Sequence, residues 1–528
     1  MMKVARAALL SHRVRVPAST LQAVLLRHIG YGRRYLLGSR HARSLDTNVR
    51  NNEQERVSML LKTSTAGKRP RRVGLVRLLA AAGLAPACVF LGLTAPAVAA
   101  PGLGTAQGGH GFGYQVSPVT EVSTCGGPNA EVEQATAKPH YVYEAWIGCG
   151  GEGFARSTDG GLHFSNPIML PDSTSSNSTF TDDPAVAVAP NGTLYVSWIR
   201  YANHHAYPQV ATSFDHGATF PQVRSLIPKQ NGNWADRDFI AAGRGGTVYV
   251  TWDYGPSAAD VNIVCSPTGS CAYSNVDATA VVQKSTDHGK TWGPITPMQP
   301  GFPAGGGYDA SILVQPNGVI DALMIDHPLN PRTFKVHPGH ELFTRSSDGG
   351  KTWSPAVEVG GNVGTLSDTE WWIDGDLSSD RAGNLYATWD TQSASGNSDI
   401  GWLSYSTDGG MTWSTPIRVT PDQDNAVHIV QSAGAGPGIV DVAWLADNSP
   451  QGYATYLRPF SIKDGWLAPV TQVASQFGNP TIWPGDTFGI SVLKRWNGPG
   501  APEHVALSWG SAVGGSQNSQ IYTTVVGR

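Results

Sequence analysis

Ser346-Ser-Asp348-Gly-Gly-Lys-Thr-Trp353 is one of five near-copies of an eight-residue phrase in this 528-residue chain. In such a phrase the Asp can accept hydrogen bonds from nearby backbone N–H groups, and the Gly supplies a turn with positive φ. The closing aromatic residue can fill the space between neighbouring units. Each copy therefore predicts a self-bonded turn between two strands. The other four copies are Ser157-Thr-Asp159-Gly-Gly-Leu-His-Phe164, Ser213-Phe-Asp215-His-Gly-Ala-Thr-Phe220, Ser285-Thr-Asp287-His-Gly-Lys-Thr-Trp292 and Ser406-Thr-Asp408-Gly-Gly-Met-Thr-Trp413.

A second phrase recurs upstream of the turns. Asp183-Pro-Ala-Val-Ala-Val-Ala-Pro-Asn-Gly192-Thr-Leu-Tyr-Val-Ser-Trp198 has a short strand, a Pro-Asn-Gly turn and a second strand that ends in Trp. Each such phrase predicts a strand pair. Its relatives are Glu131 to Trp146, Asp238 to Trp252, Asp309 to Met324, Asp376 to Trp389, Asn425 to Trp444 and Asp486 to Trp509.

Seven strand pairs at about 60 residues per repeat predict an all-β fold, a β-propeller of seven four-stranded blades. Each eight-residue turn would join the third strand of a blade to the fourth. The last repeat ends after its third strand, Gln520 to Val526, and an unpaired strand-like stretch, Tyr114 to Val122, precedes the first repeat. We therefore expect the N-terminal stretch to complete the last blade, which would remove exposed sheet edges.

The five turns resemble the Asp-box (BNR) repeat of the sialidase-like β-propellers. This resemblance implies six blades, the alternative to seven, since the last two repeats are degenerate. It also implies a structural role for the box aspartates and places the boxes on the face away from the ligand. The ligand would then lie on the face formed by the loops before each first strand and by the loops that join strands two and three. The structural box aspartates are Asp159, Asp215, Asp287, Asp348 and Asp408.

The first 100 residues differ from the rest of the chain. They hold 17 Lys and Arg against 3 Asp and Glu, and Lys68-Arg-Pro-Arg-Arg72 precedes an apolar run and a small-residue end at Ala97-Val-Ala99. This layout is typical of a secretory signal peptide. We therefore predict a basic leader or mis-assigned start over residues 1–58, a signal peptide over 59–100 and one propeller domain over 101–528. The mature protein would be secreted or displayed at the cell surface, with no membrane span.

Removal of the leader leaves 20 basic and 37 acidic residues, a formal net charge of −17. Such a charge excludes a general nucleic-acid or anionic-membrane surface. Four cysteines remain, and in an exported protein they favour disulfides Cys125 to Cys149 and Cys265 to Cys271. Free thiols or a metal site are the alternative, although the spacing fits no zinc pattern.

Aromatic residues closely followed by acids recur before the first strands, on the expected ligand face. Aromatic faces stack on sugar C–H groups and carboxylates accept hydrogen bonds from sugar hydroxyls, so the pattern indicates a carbohydrate site. In the alternative, structural interpretation, each Asp caps its strand or bonds the next blade. A ring of acids could also hold Ca²⁺, although no loop has EF-hand spacing. The predicted substrate-binding residues are Trp234, Asp309, Trp371, Trp372, Asp376, Trp483 and Asp486.

The resemblance implies an exo-sialidase, in which three arginines clamp the sugar carboxylate, an Asp is the acid/base and a Glu-activated Tyr is the nucleophile. The matching candidates are Arg200, Arg237 and Arg332 for the clamp, Asp238 for the acid/base and Tyr308 with Glu370 for the nucleophile. Arg237 could instead pair with its neighbours Asp236 and Asp238. The Arg-Ile-Pro motif that carries the first arginine of the family is absent.

Three functions remain open from the sequence. The first is a glycan-recognising propeller with exo-sialidase or other glycoside hydrolase activity, and the second is a non-catalytic carbohydrate- or protein-binding propeller. The third is a glycosidase that acts on neutral sugars with two carboxylates, which suits the acidic ligand face. We expect a monomer that binds a glycan or glycoconjugate and needs no cofactor, with Ca²⁺ as the open question.

Overall fold

The computed structural model describes residues 114–527 with short gaps. The predicted leader (1–58) and signal peptide (59–100) lie outside the described residues. The gaps are 139, 177–178, 203–204, 228–233, 256–262, 266–270, 274–278, 299–305, 327–328, 331–334, 337–339, 361–374, 393–398, 422–426, 448–451, 475–476, 480–481, 483, 486 and 494–503. Only the backbone is described at 234, 263–265, 271–273, 306–308, 326, 329–330, 335–336, 340, 392, 399, 427–431 and 447.

The described residues form β-strands and no α-helix, and seven antiparallel sheets build a β-propeller. None of this part of the chain could cross a membrane as a helix. β1 (Gln115–Val116) and β2 (Thr120–Glu121) precede the blades. Blade 1 contains β3 (Ala130–Ala137), β4 (Tyr141–Gly148), β5 (Gly151–Ser157) and β6 (Ile168–Met169). Blade 2 contains β7 (Thr179–Val188), β8 (Leu194–Ala202), β9 (His205–Ser213) and β10 (Gln222–Ser225).

The third and fourth blades each carry an extra hairpin between their second and third strands. Blade 3 contains β11 (Trp234–Ala242), β12 (Val248–Gly255), β15 (Thr279–Ser285) and β16 (Thr296–Pro297), with the hairpin β13 (Ile263–Cys265) and β14 (Cys271–Tyr273). Blade 4 contains β17 (Gly306–Val314), β18 (Ile320–Asp326), β21 (His340–Ser346) and β22 (Val357–Glu358), with the hairpin β19 (Leu329–Asn330) and β20 (Lys335–Val336).

The last three blades complete the ring. Blade 5 contains β23 (Asp376–Ser379), β24 (Leu385–Gln392), β25 (Asp399–Ser406) and β26 (Ile417–Arg418). Blade 6 contains β27 (Val427–Gly434), β28 (Ile439–Asp447), β29 (Tyr453–Ser461), β30 (Gly465–Trp466) and β31 (Thr471–Gln472). Blade 7 contains β32 (Gly489–Leu493), β33 (His504–Ser511) and β34 (Gln520–Gly527).

The N-terminal segment closes the ring, as the sequence predicts. β1 and β2 both pair antiparallel with β34, through Val116 opposite Val526 and Thr120 opposite Thr523. The closing strand is therefore two short strands rather than one. Seven sheets exclude the six-bladed alternative.

Polar side chains join blade 1 to blade 7. The Glu144 Oε1 atom accepts hydrogen bonds from Thr523 Oγ1 at 2.5 Å and from Gln134 Nε2 at 3.1 Å. Gln134 also donates to Ser508 Oγ at 3.3 Å, and Thr136 donates to the Val492 carbonyl at 2.9 Å. Burial raises the pKa of Glu144 to about 8, so this carboxyl is neutral at neutral pH.

One large side chain at the end of the second strand anchors most blades. Trp146, Trp198, Trp252 and Trp444 are completely buried. They come from the closing residue of the repeated strand-pair phrase, and in blade 4 buried Met324 takes that place. The hydrophobic clusters that contain these residues join side chains of neighbouring blades, so the core is divided among the blade interfaces.

The Asp boxes join third to fourth strands and have one common geometry. In the fourth box, Ser346 Oγ donates to Asp348 Oδ1 at 2.8 Å and accepts from the Gly350 N–H at 2.9 Å. Asp348 also accepts from the Thr352 N–H at 3.0 Å and from the Thr352 hydroxyl at 2.6 Å. In the third box the corresponding hydroxyl of Thr291 and its N–H lower the pKa of Asp287 to about 2. The predicted self-bonded turn is confirmed.

The glycine two residues after the Asp of each box lies against the preceding blade. Gly410 has a φ of +84°, and a methyl group there would stand 2.0 Å from Phe343 Cε1 in blade 4. A glycine is thus required for both its backbone conformation and the close approach of two blades. The same position in the second box, Gly217, approaches Phe154 of blade 1.

We predict that Gly410→Ala destabilises the fold much more than Gly383→Ala. Both glycines have a φ near +85°, but a methyl group at Gly383 would have no atom within 4 Å. Gly383→Ala should lower the free energy of unfolding by about 1 kcal/mol from backbone strain alone. Gly410→Ala should lower the free energy of unfolding by about 2 kcal/mol more than Gly383→Ala does, because the added methyl group overpacks the blade interface. Urea denaturation checks both values, and equal losses would contradict the proposed blade contact.

We also predict that Glu144 makes the fold less stable as the pH rises. Its pKa is raised in the folded state, so its stabilising contribution is complete below the ordinary Glu value and is lost as the pH rises through about 8. Between pH 6 and pH 9 the free energy of unfolding of the wild type should fall by about 2 to 3 kcal/mol more than that of Glu144→Gln. Urea denaturation at a series of pH values measures this, with Glu358→Gln as a control at an exposed position. Parallel pH profiles for the wild type and Glu144→Gln would refute the prediction.

Candidate functional site

The Asp boxes lie on the same face of the propeller as the turns between first and second strands. Gly192 lies in the turn between the first and second strands of blade 2, and a methyl group there would stand 3.1 Å from the box residue His216. In blade 3 the N–H of box residue His288 donates to the Gly246 carbonyl at 2.9 Å. The opposite face, which we call the ligand face, therefore carries the starts of the first strands and the ends of the second strands.

Four residues in the left-handed conformation mark the ligand face of blades 1 to 4. Glu131, Asp183, Arg237 and Asp309 have φ values between 50° and 52°. Each lies at a register shift near the start of its first strand. A bulge re-aims side chains, and strained non-glycine residues are concentrated at functional sites. Three of the four, Asp183, Arg237 and Asp309, are positions to which the sequence also draws attention.

Several ligand-face carboxylates hold neighbouring blades together. Asp183 Oδ2 accepts a hydrogen bond from the Arg237 N–H at 3.0 Å, across the interface of blades 2 and 3. Asp376 Oδ2 accepts from the Ser432 N–H at 2.8 Å, across blades 5 and 6. The structural interpretation is therefore right for the bonds of these two acids, although a carboxylate that bonds a neighbour can still meet a ligand.

Asp236, Asp253 and Asp309 form a group of acids between blades 3 and 4, which we call the blade 3/4 acids. Asp253 Oδ1 accepts from the Asp309 N–H at 3.2 Å, and both side chains are buried. Burial raises the pKa of Asp253 well above its ordinary value, and the charges of Asp309 and Asp236 raise it further. Asp236 is half-buried and accepts from the Tyr201 hydroxyl at 2.9 Å. The group thus places an acid whose ionisation is disfavoured next to two further acids.

A second group of acids spans blades 1 to 3. One carboxylate oxygen from each of Glu131, Asp182 and Asp183 lies within 4.8 Å of the others, so the three could ligate one metal ion. Glu152 and Asp238 are buried nearby. Burial raises the pKa of Glu152 well above its ordinary value, and the charges of Asp182 and Asp238 add to the rise. Burial also raises the pKa of Asp238, with contributions from the charges of Asp182 and Asp236.

The two described candidate arginines, Arg200 and Arg237, are held by different parts of the ligand face. The Arg200 guanidinium donates from Nη1 to the Asp172 carbonyl at the rim of the ligand face. Arg237 is buried in the bulge of β11, beside Asp236 and Asp238 in the chain. Arg332 lies outside the described residues, so the three-arginine clamp stays a prediction.

Other predicted site residues also remain predictions. The backbones of Trp234 and Tyr308 lie in β11 and β17 at the ligand face, but their side chains are not described. Glu370, Trp371, Trp372, Trp483 and Asp486 lie outside the described residues.

The sequence analysis missed two features of this face. Glu152 lies in the third strand of blade 1, a place that a search confined to loops excludes; its sequence signal is a lone acid in the strand Gly151–Ser157. Phe180 stacks on Tyr201 with ring centroids 4.5 Å apart and an interplanar angle of 13°. An aromatic pair therefore stands next to Asp236, the Tyr201 partner.

The disulfide predictions have different outcomes. Cys125 and Cys149 are bonded, with their Cα atoms 5.4 Å apart, and the bond ties the segment before β3 to the hairpin between β4 and β5. The prediction for this pair is confirmed. Cys265 and Cys271 are directly opposite each other in the β13–β14 hairpin, but their side chains are not described, so that disulfide stays a prediction.

Comparison with known proteins agrees with the repeat. The BNR/Asp-box repeat family matches residues 404–415, which contain the whole fifth box. The chain is a β-propeller that carries the BNR/Asp-box repeat. A search of the curated proteins finds no significant match.

Solved structures with similarity to this propeller include three with different descriptions. One is a protein of unknown function from Dyadobacter fermentans, at 15% identity and a TM-score of 0.42, over 67% of this chain and 96% of that one. Another is a variant of the NanB sialidase of Streptococcus pneumoniae, at 12% identity and a TM-score of 0.40, over 77% of this chain and 70% of that one. The third is a polysaccharide lyase, an ulvan lyase, at 12% identity and a TM-score of 0.46, over 75% of this chain and 93% of that one. Because one fold hosts many activities, function must be argued from the site.

Proposed function

We propose that this propeller recognises glycans on its ligand face and hydrolyses a glycosidic bond there with the blade 3/4 acids. The observation that carries the proposal is buried Asp253 next to Asp236 and Asp309. Glycoside hydrolysis needs one carboxyl that is protonated at the working pH and a second that is ionised. Burial favours the protonated form of Asp253, and Asp236 and Asp309 are the neighbouring acids available for the second role.

The environments of the acids suggest a role for each. Asp253 is kept neutral by burial and by the charge of Asp309, so it would donate a proton to the leaving-group oxygen. Asp236 accepts a hydrogen bond from Tyr201, is half-buried and would act as the carboxylate that assists attack on the sugar. Asp309 would hold the Asp253 proton in place. It would also bind substrate, the role that the sequence predicts for it.

The surroundings of the acids favour a sugar over other ligands. The Phe180–Tyr201 pair offers an apolar face, and Trp234 and Tyr308 belong to the same strand starts as the acids. Aromatic rings and hydrogen-bonding carboxylates are the groups that a neutral sugar requires. The density of acids suits a neutral sugar better than the anionic sugar that the sialidase resemblance implies.

The test is a panel of fluorogenic glycosides of neutral sugars with a sialoside included, beside a glycan-binding array. We predict turnover of a neutral glycoside, and a loss of about 10² to 10⁴-fold in kcat for Asp253→Asn, since general acid catalysis contributes that much. Binding of the glycan should persist in the variant. Asp172→Asn is the matched control, because Asp172 is an exposed acid at the rim of the same face.

The other outcomes separate the remaining functions. Turnover of the sialoside alone, abolished by Arg237→Ala, would replace the proposal with the sialidase of the resemblance and would implicate Arg200, Arg332, Tyr308 and Glu370. Glycan binding without turnover of any substrate would leave a non-catalytic binding propeller. Neutral-glycoside turnover that is unchanged in Asp253→Asn would refute the assigned acid.

We also propose that the protein is exported. The support is the layout of residues 59–100 and the Cys125–Cys149 disulfide, since disulfides persist in oxidising compartments. Mass spectrometry of protein from the culture medium or cell surface should find an N-terminus near Pro101 and a cross-linked Cys125–Cys149 peptide. Retention of residues 59–100 in mature protein, or reduced cysteines in a freshly isolated sample, would contradict export.

A further inference from the structure

The acids of blades 1 to 3 are arranged around a common point. Glu131 starts the first strand of blade 1, and Asp182 and Asp183 lie near the start of the first strand of blade 2. One oxygen from each lies within 4.8 Å of the others. Two oxygens bound to one Ca²⁺ ion at 2.3–2.6 Å can stand up to about 5 Å apart. The three carboxylates can therefore share a single ion of that size.

An independent observation concerns two further buried carboxyls that lie near Asp182. Glu152 is fully buried and Asp238 is 4% exposed, and within the described residues the hydroxyls of Thr181 and Ser197 approach them without completing a hydrogen bond of good geometry. The charge of Asp182 acts on both groups. Buried carboxyls are costly unless they are paired, hydrogen-bonded or near a cation. Within the cluster Glu131 is buried, whereas Asp182 and Asp183 are half-buried and reach solvent.

We propose that Glu131, Asp182 and Asp183 bind a divalent cation of the Ca²⁺ class, with the buried carboxyls of Glu152 and Asp238 next to the site. The donors are carboxylate oxygens without sulfur or imidazole, which favours a hard cation over a transition metal. Ca²⁺ suits the cluster better than Mg²⁺, because its longer bonds and irregular geometry tolerate ligands that come from two blades.

The cation would join two neighbouring blades. Glu131 belongs to the first strand of blade 1, and Asp183, in blade 2, already bonds the backbone of blade 3. An ion here would tie blade 1 to blade 2 and screen the repulsion among the three carboxylates. This role does not depend on the glycan proposal, since it can be read from metal binding and thermal stability without any sugar.

The test uses the purified protein after treatment with EDTA and dialysis, with CaCl₂ or MgCl₂ as the only added metal. Isothermal titration calorimetry should show one Ca²⁺ site with a Kd below about 1 mM and weaker binding of Mg²⁺. The Tm in 10 mM CaCl₂ should rise above the metal-free value. Asp182→Asn and Glu131→Gln should each weaken Ca²⁺ binding at least tenfold and remove the rise in Tm.

Two controls keep the test decisive. Asp172→Asn, an exposed ligand-face acid outside the cluster, should bind Ca²⁺ as the wild type does. Circular dichroism without metal identifies a variant that fails to fold, in which case Asp183→Asn, which retains an acceptor for the Arg237 N–H, takes its place. Absence of Ca²⁺ binding to the wild type, or undiminished binding in folded variants of the cluster, would overturn the proposal.

Discussion

Closure of the ring is the constraint on which the structure depends, because an open propeller would leave two blade faces and a sheet edge unpaired. The last blade has three strands of its own and takes its fourth from β1 and β2. Polar side chains contribute to the interface that results: Thr523 donates to Glu144, and Thr136 donates to the Val492 carbonyl. The Cys125–Cys149 disulfide fixes the segment between the closing strands and blade 1.

The remaining interfaces repeat one solution. A buried aromatic residue at the end of the second strand fills the space between blades, and the box glycine allows the next blade to approach the third strand. In each box the Ser and Asp side chains accept hydrogen bonds from N–H groups of their own turn, so the box places a hydrogen-bonded turn at the interface. The face opposite the boxes is thereby released from this structural task.

That face carries the acids whose ionisation the fold disfavours. Burial together with like charges raises the pKa of Asp253, Asp238 and Glu152, which is costly to stability unless a proton, a cation or a ligand compensates. The two proposals divide these acids by location. The blade 3/4 acids retain a proton suited to glycoside chemistry, whereas the cluster of blades 1 and 2 has the spacing of a cation site.

The sequence by itself predicted seven blades, with six as the alternative, and the closing role of Tyr114 to Val122, because periodic turns and strand pairs are local patterns that leave one ring to close. The even number of cysteines in an exported chain favoured the Cys125–Cys149 pair. The sequence also drew attention to Asp309 and Arg237. Only the tertiary structure decided which acids meet, since Asp253, Asp309 and Glu152 come from different strands and their spacing depends on how the blades pack. It likewise showed that Asp183 and Asp376 bond neighbouring blades. The sequence cannot contain this information locally, because the distances between blades are fixed by side chains far apart in the chain.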